Sequence, residues 1–275
     1  MRWERTRFPQ LGIIIATLAT SLVGCGGQEL TSTWRDREVT IDGVDDEWEN
    51  AMTYVEDKNV AIGLLNDQEY LYICLASIDF QRVHQMIGSG LTVWFDPKGG
   101  KKKTFGINFP LEMQFSGEDM SPEKMPMPRE SAPDPERLRE MVKESAKEMV
   151  ILGPEKGKSI RMLTHGSEEI AVRLDYSGGK LVYELRVPLI RGPQHPTAIG
   201  AGASEIIGVG FETAEFDREM MRNRMREKMG GGMPPGGQGM PPGGMRGGGM
   251  RGGRMPGGQR PERLEYWAKV QLASG

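Results

Sequence analysis

The chain has 275 residues, of which 38 are glycine, 18 proline and 19 methionine, and only 37% are hydrophobic; glycine stands at about twice its usual share. Thirty-five Lys+Arg against 38 Asp+Glu leave a net charge of −3, which excludes a globally basic nucleic-acid binder. Two cysteines exclude both a disulfide-dense small scaffold and a cysteine-rich zinc module.

The N-terminus reads as an address. Arg2, Arg5 and Arg7 precede the apolar run Leu11–Val23. Such a run makes about 20 Å of helix, short of a ~30 Å hydrocarbon core, so it fits a secretory signal and not a membrane span. The run ends in Leu22-Val23-Gly24-Cys25, which resembles the bacterial lipobox, with cleavage after residue 24 and lipid on Cys25. Anchoring by acyl chains is expected, since each buried CH₂ contributes about 0.8 kcal/mol. Gly26 is not the aspartate that retains such proteins at the inner membrane, so the outer membrane is the expected location. With Cys25 lipidated, Cys74 has no disulfide partner and reads as a small buried hydrophobe. Residues 25–36 read as a lipidated tether and 37–272 as the folded domain.

Strand signals then follow in order. Glu38–Ile41 leads into the turn pair Asp42-Gly43. Lys58–Leu65 and Glu69–Ile78 flank Asn66-Asp67-Gln68 and predict a hairpin. Leu71, Ile73 and Leu75 share one face and Tyr70, Tyr72 and Cys74 the other, so both faces can be covered. Leu91–Asp96 and Thr104–Phe109 are further strands, joined through Gly99-Gly100 and the run Lys101-Lys102-Lys103, which reads as a solvated turn, three lysines alone being weak evidence for an anion site. Residues 116–149 read as an insert, a polar loop and then a helix. Asp134 is placed to cap that helix and Pro135 to open it; Leu138, Met141, Val142, Ser145 and Met149 form one stripe expected to dock on the sheet. Ser159–Thr164, Glu169–Tyr176, Lys180–Val187, Ile206–Thr213 and Leu264–Leu272 complete the strands. Many short strands with turns between them predict an all-β fold, an antiparallel β-sandwich with one inserted helix.

The glycine excess has one address. Asp217–Met229 is charged and helical in pattern, and Met229–Gly258 repeats MPPGG, MRGGG and MRGGR and holds 15 of the 38 glycines. Such composition cannot offset its ordering entropy, so residues 229–260 are expected to be a disordered Met/Gly/Pro-rich insert. Met221, Met225, Met229 and Met233 stand four apart and offer thioethers suited to Cu(I); the alternative is that methionine is simply the apolar letter of a biased tract.

A family resemblance emerges from five segments taken together. Ile41-Asp-Gly-Val-Asp-Asp-Glu-Trp48 is similar to the I-D-G-x-x-D-E-x-W opening of family 9-like carbohydrate-binding modules. Asn66–Ile73 resembles that family's turn and Y-L-Y strand, and Leu91–Pro97 its E-x-F-x-D-P strand. Tyr183–Pro188 resembles its Y-x-x-E-x-x-I-P strand, and Ile207–Phe211 its G-x-x-F strand. The resemblance implies a β-sandwich related to the DOMON superfamily, whose members bind sugars or haem. It also implies a tryptophan pair clamping a terminal sugar. At the two corresponding stretches this chain has Gln85-Met86-Ile87-Gly88 and Arg260-Pro261-Glu262-Arg263, and Thr92 stands where the family has an acid.

Sugar binding needs an aromatic platform with polar neighbours. Trp94 and Trp267 are the candidates, with Asp96, Asn108 and Glu112 beside them; the competing reading makes both tryptophans sheet-face or core residues. Trp48 is expected to be a structural anchor. Asp42, Asp45 and Asp46 either cap the turn at Trp48 or bind calcium. Haem binding would need an axial pair, for which His84 with Met86 is the candidate, although the chain has three histidines and nothing in the sequence fixes a pocket. No G-x-S-x-G or H-E-x-x-H occurs and no carboxylate pairing is indicated, so no catalytic residue is assigned and no enzymatic activity is expected. Two functions remain: a lipid-anchored envelope protein that binds glycan, or an envelope scaffold whose Met/Gly-rich insert contacts a partner or a soft metal.

Overall fold

The computed structural model describes residues 28–113, 135–153, 158–165, 169–203, 205–215 and 262–275. The leader, Cys25, Asp134, the 116–134 loop, Met221, Met225, Met229, Met233 and the 229–260 insert lie outside these residues.

Among the described residues thirteen strands form two sheets. The seven-stranded sheet runs β1 (Gln28–Thr31), β13 (Glu265–Gln271), β12 (Ile206–Thr213), β6 (Leu91–Asp96), β7 (Phe105–Asn108), β8 (Glu148–Leu152) and β9 (Ser159–Leu163). The second sheet runs β10 (Ala171–Ser177), β11 (Lys180–Pro188), β5 (Tyr70–Ser77), β4 (Val60–Asn66) and β2 (Thr33–Trp34), with β3 (Met52–Val55) also on β4. Pairing is antiparallel except at two edges, where β1 joins β13 and β2 joins β4 in parallel. The molecule is a β-sandwich, as the strand pattern predicts.

Strand alternation builds the core. Leu71, Ile73 and Leu75 of β5 and Tyr183 and Leu185 of β11 meet Val93 and Phe95 of β6, Ile107 of β7 and Val209 and Phe211 of β12. Each such side chain contributes about 1.5–3 kcal/mol on burial. Two helices of the described residues close this core. α1 (Phe80–Ser89) is capped by Asp79, whose carboxylate accepts the Arg82 N–H at 2.8 Å, and buries Val83, Met86 and Ile87. α2 (Pro135–Ser145) buries Leu138 and Val142 against the sandwich.

The hairpin at Asn66–Gln68 forms as expected because Asp67 organises it. Its Oδ1 accepts the Glu69 and Tyr70 N–H groups at 2.8 and 2.7 Å, and its Oδ2 accepts Arg35 Nε at 2.9 Å and the Tyr72 hydroxyl at 3.2 Å. Burial raises the Asp67 pKa, but the Tyr70 and Glu69 N–H groups, the Arg35 charge and Tyr72 outweigh it and hold the group below its ordinary value.

The second sheet is covered on its outer face too. Val39, Trp48, Leu65, Tyr72, Cys74, Ala76 and Val182 form a separate buried cluster there. Its polar centre is Glu184 of β11, fully buried, which accepts Trp48 Nε1–H at 2.8 Å, the Gly43 N–H at 2.6 Å and the Asp42 N–H at 2.9 Å. Gly43 has φ +92°, and a Cβ there would meet Asp175 of β10, so only glycine suits this approach. Trp48 is therefore the structural anchor of its loop. Burial pushes the Glu184 pKa up, opposed by its three N–H donors, and the net direction is upward.

Four local expectations are corrected. Residues 28–34 are not a free tether, since β1 and β2 carry them into both sheets. Glu38–Ile41 is no strand; Val39 and Ile41 are apolar because they pack on the outer face of the second sheet. A second helix, α1, occupies the stretch between two strands. The stripe helix stops at Ser145, and Met149 belongs to β8, buried in the core.

Candidate functional site

The outer face of the seven-stranded sheet brings the two candidate tryptophans together. Trp267 of β13 stands opposite Gly210 of β12, which stands opposite Trp94 of β6, which stands opposite Gly106 of β7. Directly opposed residues share a face, so tryptophan and glycine alternate along one row across four strands. Each indole leans the same way, over the glycine of the next strand: a Cβ on Gly106 would fall within 3 Å of the Trp94 ring, and one on Gly210 within 3 Å of the Trp267 ring. Both tryptophans are half-buried. Neither belongs to the interior, and both rings rest against the sheet with glycine as their floor. Two strand spacings separate them, roughly 10 Å.

A polar border runs along one side of this row. Glu212 of β12 accepts Trp94 Nε1–H at 3.0 Å, pairs with Lys103 Nζ at 2.5 Å and lies 3.6 Å from Arg263, which also pairs with Glu265. The Lys103 ammonium sits 5.6 Å from the centroid of the Trp94 ring, within cation–π range. Glu212 stands directly across from Thr92, so an acid is supplied at this place from the neighbouring strand. Asn108 of β7 lies opposite Thr92 on its other side and donates through Nδ2 to Thr92 Oγ1 at 2.9 Å and to the Leu91 carbonyl at 3.2 Å. It belongs to the border, one row from Trp94.

The other two expected polar neighbours are placed differently. Asp96 is on the same face but is buried, and its carboxylate accepts the Lys98 N–H at 3.1 Å and the Lys102 N–H at 2.9 Å. It folds the turn between β6 and β7 and is not a free acceptor for a ligand. Glu112 lies beyond the end of β7, where residues 110–113 pair with 88–91, away from the tryptophan row. Glu212 was not named from the sequence, and Lys103 and Arg263 were named only within the lysine run and the Arg260–Arg263 stretch, not as site residues. Glu212 had one legible signal, an acid alternating with glycines in the apolar strand Ile206–Thr213.

The two stretches where the resemblance implies a tryptophan clamp do meet, but they close on each other. Arg82 and Gln85 of α1 donate to the Glu262 carbonyl at 3.2 and 3.3 Å, and the Leu264 N–H donates to Gln85 Oε1 at 3.2 Å. Met86 and Ile87 are in the core. Hydrogen bonds join the two segments that would flank a slot.

The metal and haem readings find little to build on. Asp45 pairs with Lys180 at 2.5 Å and makes no capping bond; Asp42 accepts the Val44 N–H at 2.9 Å. Among the described residues no group of three or more His, Cys, Asp or Glu side chains is arranged to hold a metal ion. His84 and Met86 stand two apart on α1, a spacing that does not put side chains on one face; Met86 is in the core, while His84 packs edge-on to Phe80.

No protein-family model matches the chain, and no curated protein matches it. Among solved structures, it is similar to a family 9 carbohydrate-binding module from Caldicellulosiruptor kristjanssonii in complex with glucose, at 12% identity and a TM-score of 0.34 over 70% of this chain and 81% of that one. A second structure of such a module, from the same organism and in complex with cellotriose, gives 12% identity and a TM-score of 0.33 over 70% and 79%. A Bacteroides uniformis protein described as carbohydrate-binding gives 10% identity and a TM-score of 0.33 over 68% and 84%.

Proposed function

We propose that this chain is a non-catalytic glycan-binding protein, lipid-anchored through Cys25 at the bacterial outer membrane, that holds sugar rings on the outer face of its seven-stranded sheet. The observation that carries this reading is the row Trp267–Gly210–Trp94–Gly106, in which each indole lies against a glycine floor. A pyranose presents a C–H face that packs on an aromatic ring while its hydroxyls hydrogen-bond at the periphery. Glu212, Lys103, Asn108 and Arg263 supply acceptors and donors along one side of the row. Nothing in this arrangement places two carboxylates across a cleft as glycoside hydrolysis requires, which favours binding over cleavage.

A glycan array probed with the full-length chain in detergent tests the reading. Binding to at least one glycan class, lost in Trp94→Ala, is the expected result. An empty array, with Trp94→Ala indistinguishable from the parent, would overturn it.

A further inference from the structure

The turn between β6 and β7 folds back over the same sheet face. Asp96 points to the face that carries Trp94, and its carboxylate gathers the N–H groups of Lys98 and Lys102 over that face. Gly100 comes down on Gly208, the glycine two residues before Gly210 on β12, so closely that a Cβ at Gly208 would collide with the Gly100 carbonyl. The turn is thus a ledge standing one row away from the tryptophans, opposite the Glu212 border.

That ledge is basic. Lys98, Lys101, Lys102 and Lys103 are all exposed on it, and Lys269 of β13 is exposed opposite Gly208, on the same face. Lys103 is paired with Glu212. Lys98, Lys101, Lys102 and Lys269 make no ion pair among the described residues, and Asp96 has its carboxylate committed to backbone N–H groups. The chain as a whole carries −3, so this concentration of ammonium groups beside an aromatic row is local and not a reflection of overall composition. The row is bounded by these unpaired cations on one side and, on the other, by Glu212 and Glu265 in ion pairs with Lys103 and Arg263.

We infer that the ligand of this face is an anionic polysaccharide, with sugar rings on Trp94 and Trp267 and its carboxylate or sulfate groups turned toward Lys98, Lys101, Lys102 and Lys269. This rests on the glycan-binding reading and adds the charge of the ligand and its orientation. The two rings stand roughly 10 Å apart, so the ligand is a chain long enough to cover both. Its other edge faces the border where Glu212 and Glu265 are already paired with Lys103 and Arg263, so the cations without an ion pair lie on the ledge side of the row.

The test compares one sugar backbone in three charge states, carboxymethyl cellulose, cellulose sulfate and neutral hydroxyethyl cellulose, by affinity electrophoresis and calorimetry with the full-length chain in detergent. The two anionic polymers are expected to bind at least about tenfold more tightly than the neutral one, and to lose that advantage in about 0.5 M salt, where exposed charges are screened within a few Å. The triple substitution Lys101→Glu, Lys102→Glu and Lys269→Glu is expected to remove the preference and its salt dependence while leaving hydroxyethyl cellulose binding unchanged. Preference for the carboxymethyl or the sulfated polymer identifies which anionic group is taken. Equal binding of neutral and anionic polymers, with Trp94→Ala weakening both, would overturn the inference and leave the glycan-binding reading standing. Anionic binding indifferent to Trp94→Ala would reduce the ledge to an ion exchanger and also overturn it. Absence of binding to any glycan would remove both.

Discussion

Trp48 and Glu184 are joined by a 2.8 Å hydrogen bond from the indole Nε1–H to the carboxylate Oε1, across 136 residues of chain. With the Gly43 and Asp42 N–H groups on Oε2, this bond ties the loop before β3 onto the outer face of the second sheet. Trp48→Phe keeps most of the ring and deletes the donor; a loss of about 2–4 kcal/mol is expected in chemical denaturation. Glu184→Gln turns an amide N–H toward a cluster of N–H donors and should cost about 1–3 kcal/mol. Because the two side chains share one interaction, the double variant should lose less than the sum of the singles. Strict additivity would mean that the bond contributes nothing.

The glycine floor is a second dependency. Gly210→Ala places a methyl where the Trp267 ring lies. The ring must lift, and overpacking of this kind typically costs about 1–3 kcal/mol. The near-UV circular dichroism of the tryptophans should change, and glycan affinity should fall although no ligand-contacting side chain has been replaced. Gly88→Ala, which meets no neighbour, serves as the control and should leave affinity unchanged.

The hairpin turn responds to pH through Asp67. Its pKa is held below the ordinary 3.8. Its stabilising contribution is therefore fully present above 3.8 and is lost as pH falls through the folded-state value. The stability gap between the parent and Asp67→Asn should be widest near neutrality and narrow on acidification below 3.8. Glu184, whose pKa is raised from 4.5, has the opposite sense: its contribution is complete below 4.5 and is lost as pH rises through the folded value. Unfolding of each single variant across this range separates the two.

Much of the sandwich was legible because strand alternation is a local signal. Leu71, Ile73 and Leu75 against Tyr72 and Cys74 announce a strand covered on both faces, and both clusters exist. Asn66-Asp67-Gln68 announces its turn because Asp67 bonds to residues two and three positions on. What escaped depends on partners far away in the chain. The 28–34 segment looks like a tether because its strands are short and polar, and only pairing with β13 and β4 makes them strands. The helix α1 was legible in principle from Asp79 as cap and from Val83, Met86 and Ile87 at helical spacing.

The site divides along the same line. The tryptophans could be named, yet their alignment through Gly210 is a matter of register between strands of which β12 and β13 are separated by the Met/Gly-rich insert. Asp96 reads as a ligand-facing acid in sequence, and its commitment to the Lys98 and Lys102 N–H groups appears only once the turn is folded. The same fold turns Lys101-Lys102-Lys103, a solvated run in sequence, into one wall of the aromatic row.

Anchoring is open to a direct check. The full-length chain expressed in a bacterium that processes lipoproteins should incorporate radiolabelled fatty acid and fractionate with the outer membrane. Cys25→Ala should incorporate none and leave the membrane fraction, since attachment of this kind depends on the acyl chains. An unlabelled parent chain, or a Cys25→Ala chain still held at the membrane, would contradict the assignment.

The most direct measurement is a calorimetric titration of the parent chain and of Trp94→Ala, Trp267→Ala and the double variant with the tightest glycan found on the array. Each side chain is half-buried on the sheet surface, so thermal unfolding of each variant can establish that it is folded before titration. Each single variant is expected to weaken binding at least about tenfold, as loss of a central aromatic contact usually does, and the double variant to show none. A folded double variant that binds with the parent's affinity would contradict the account.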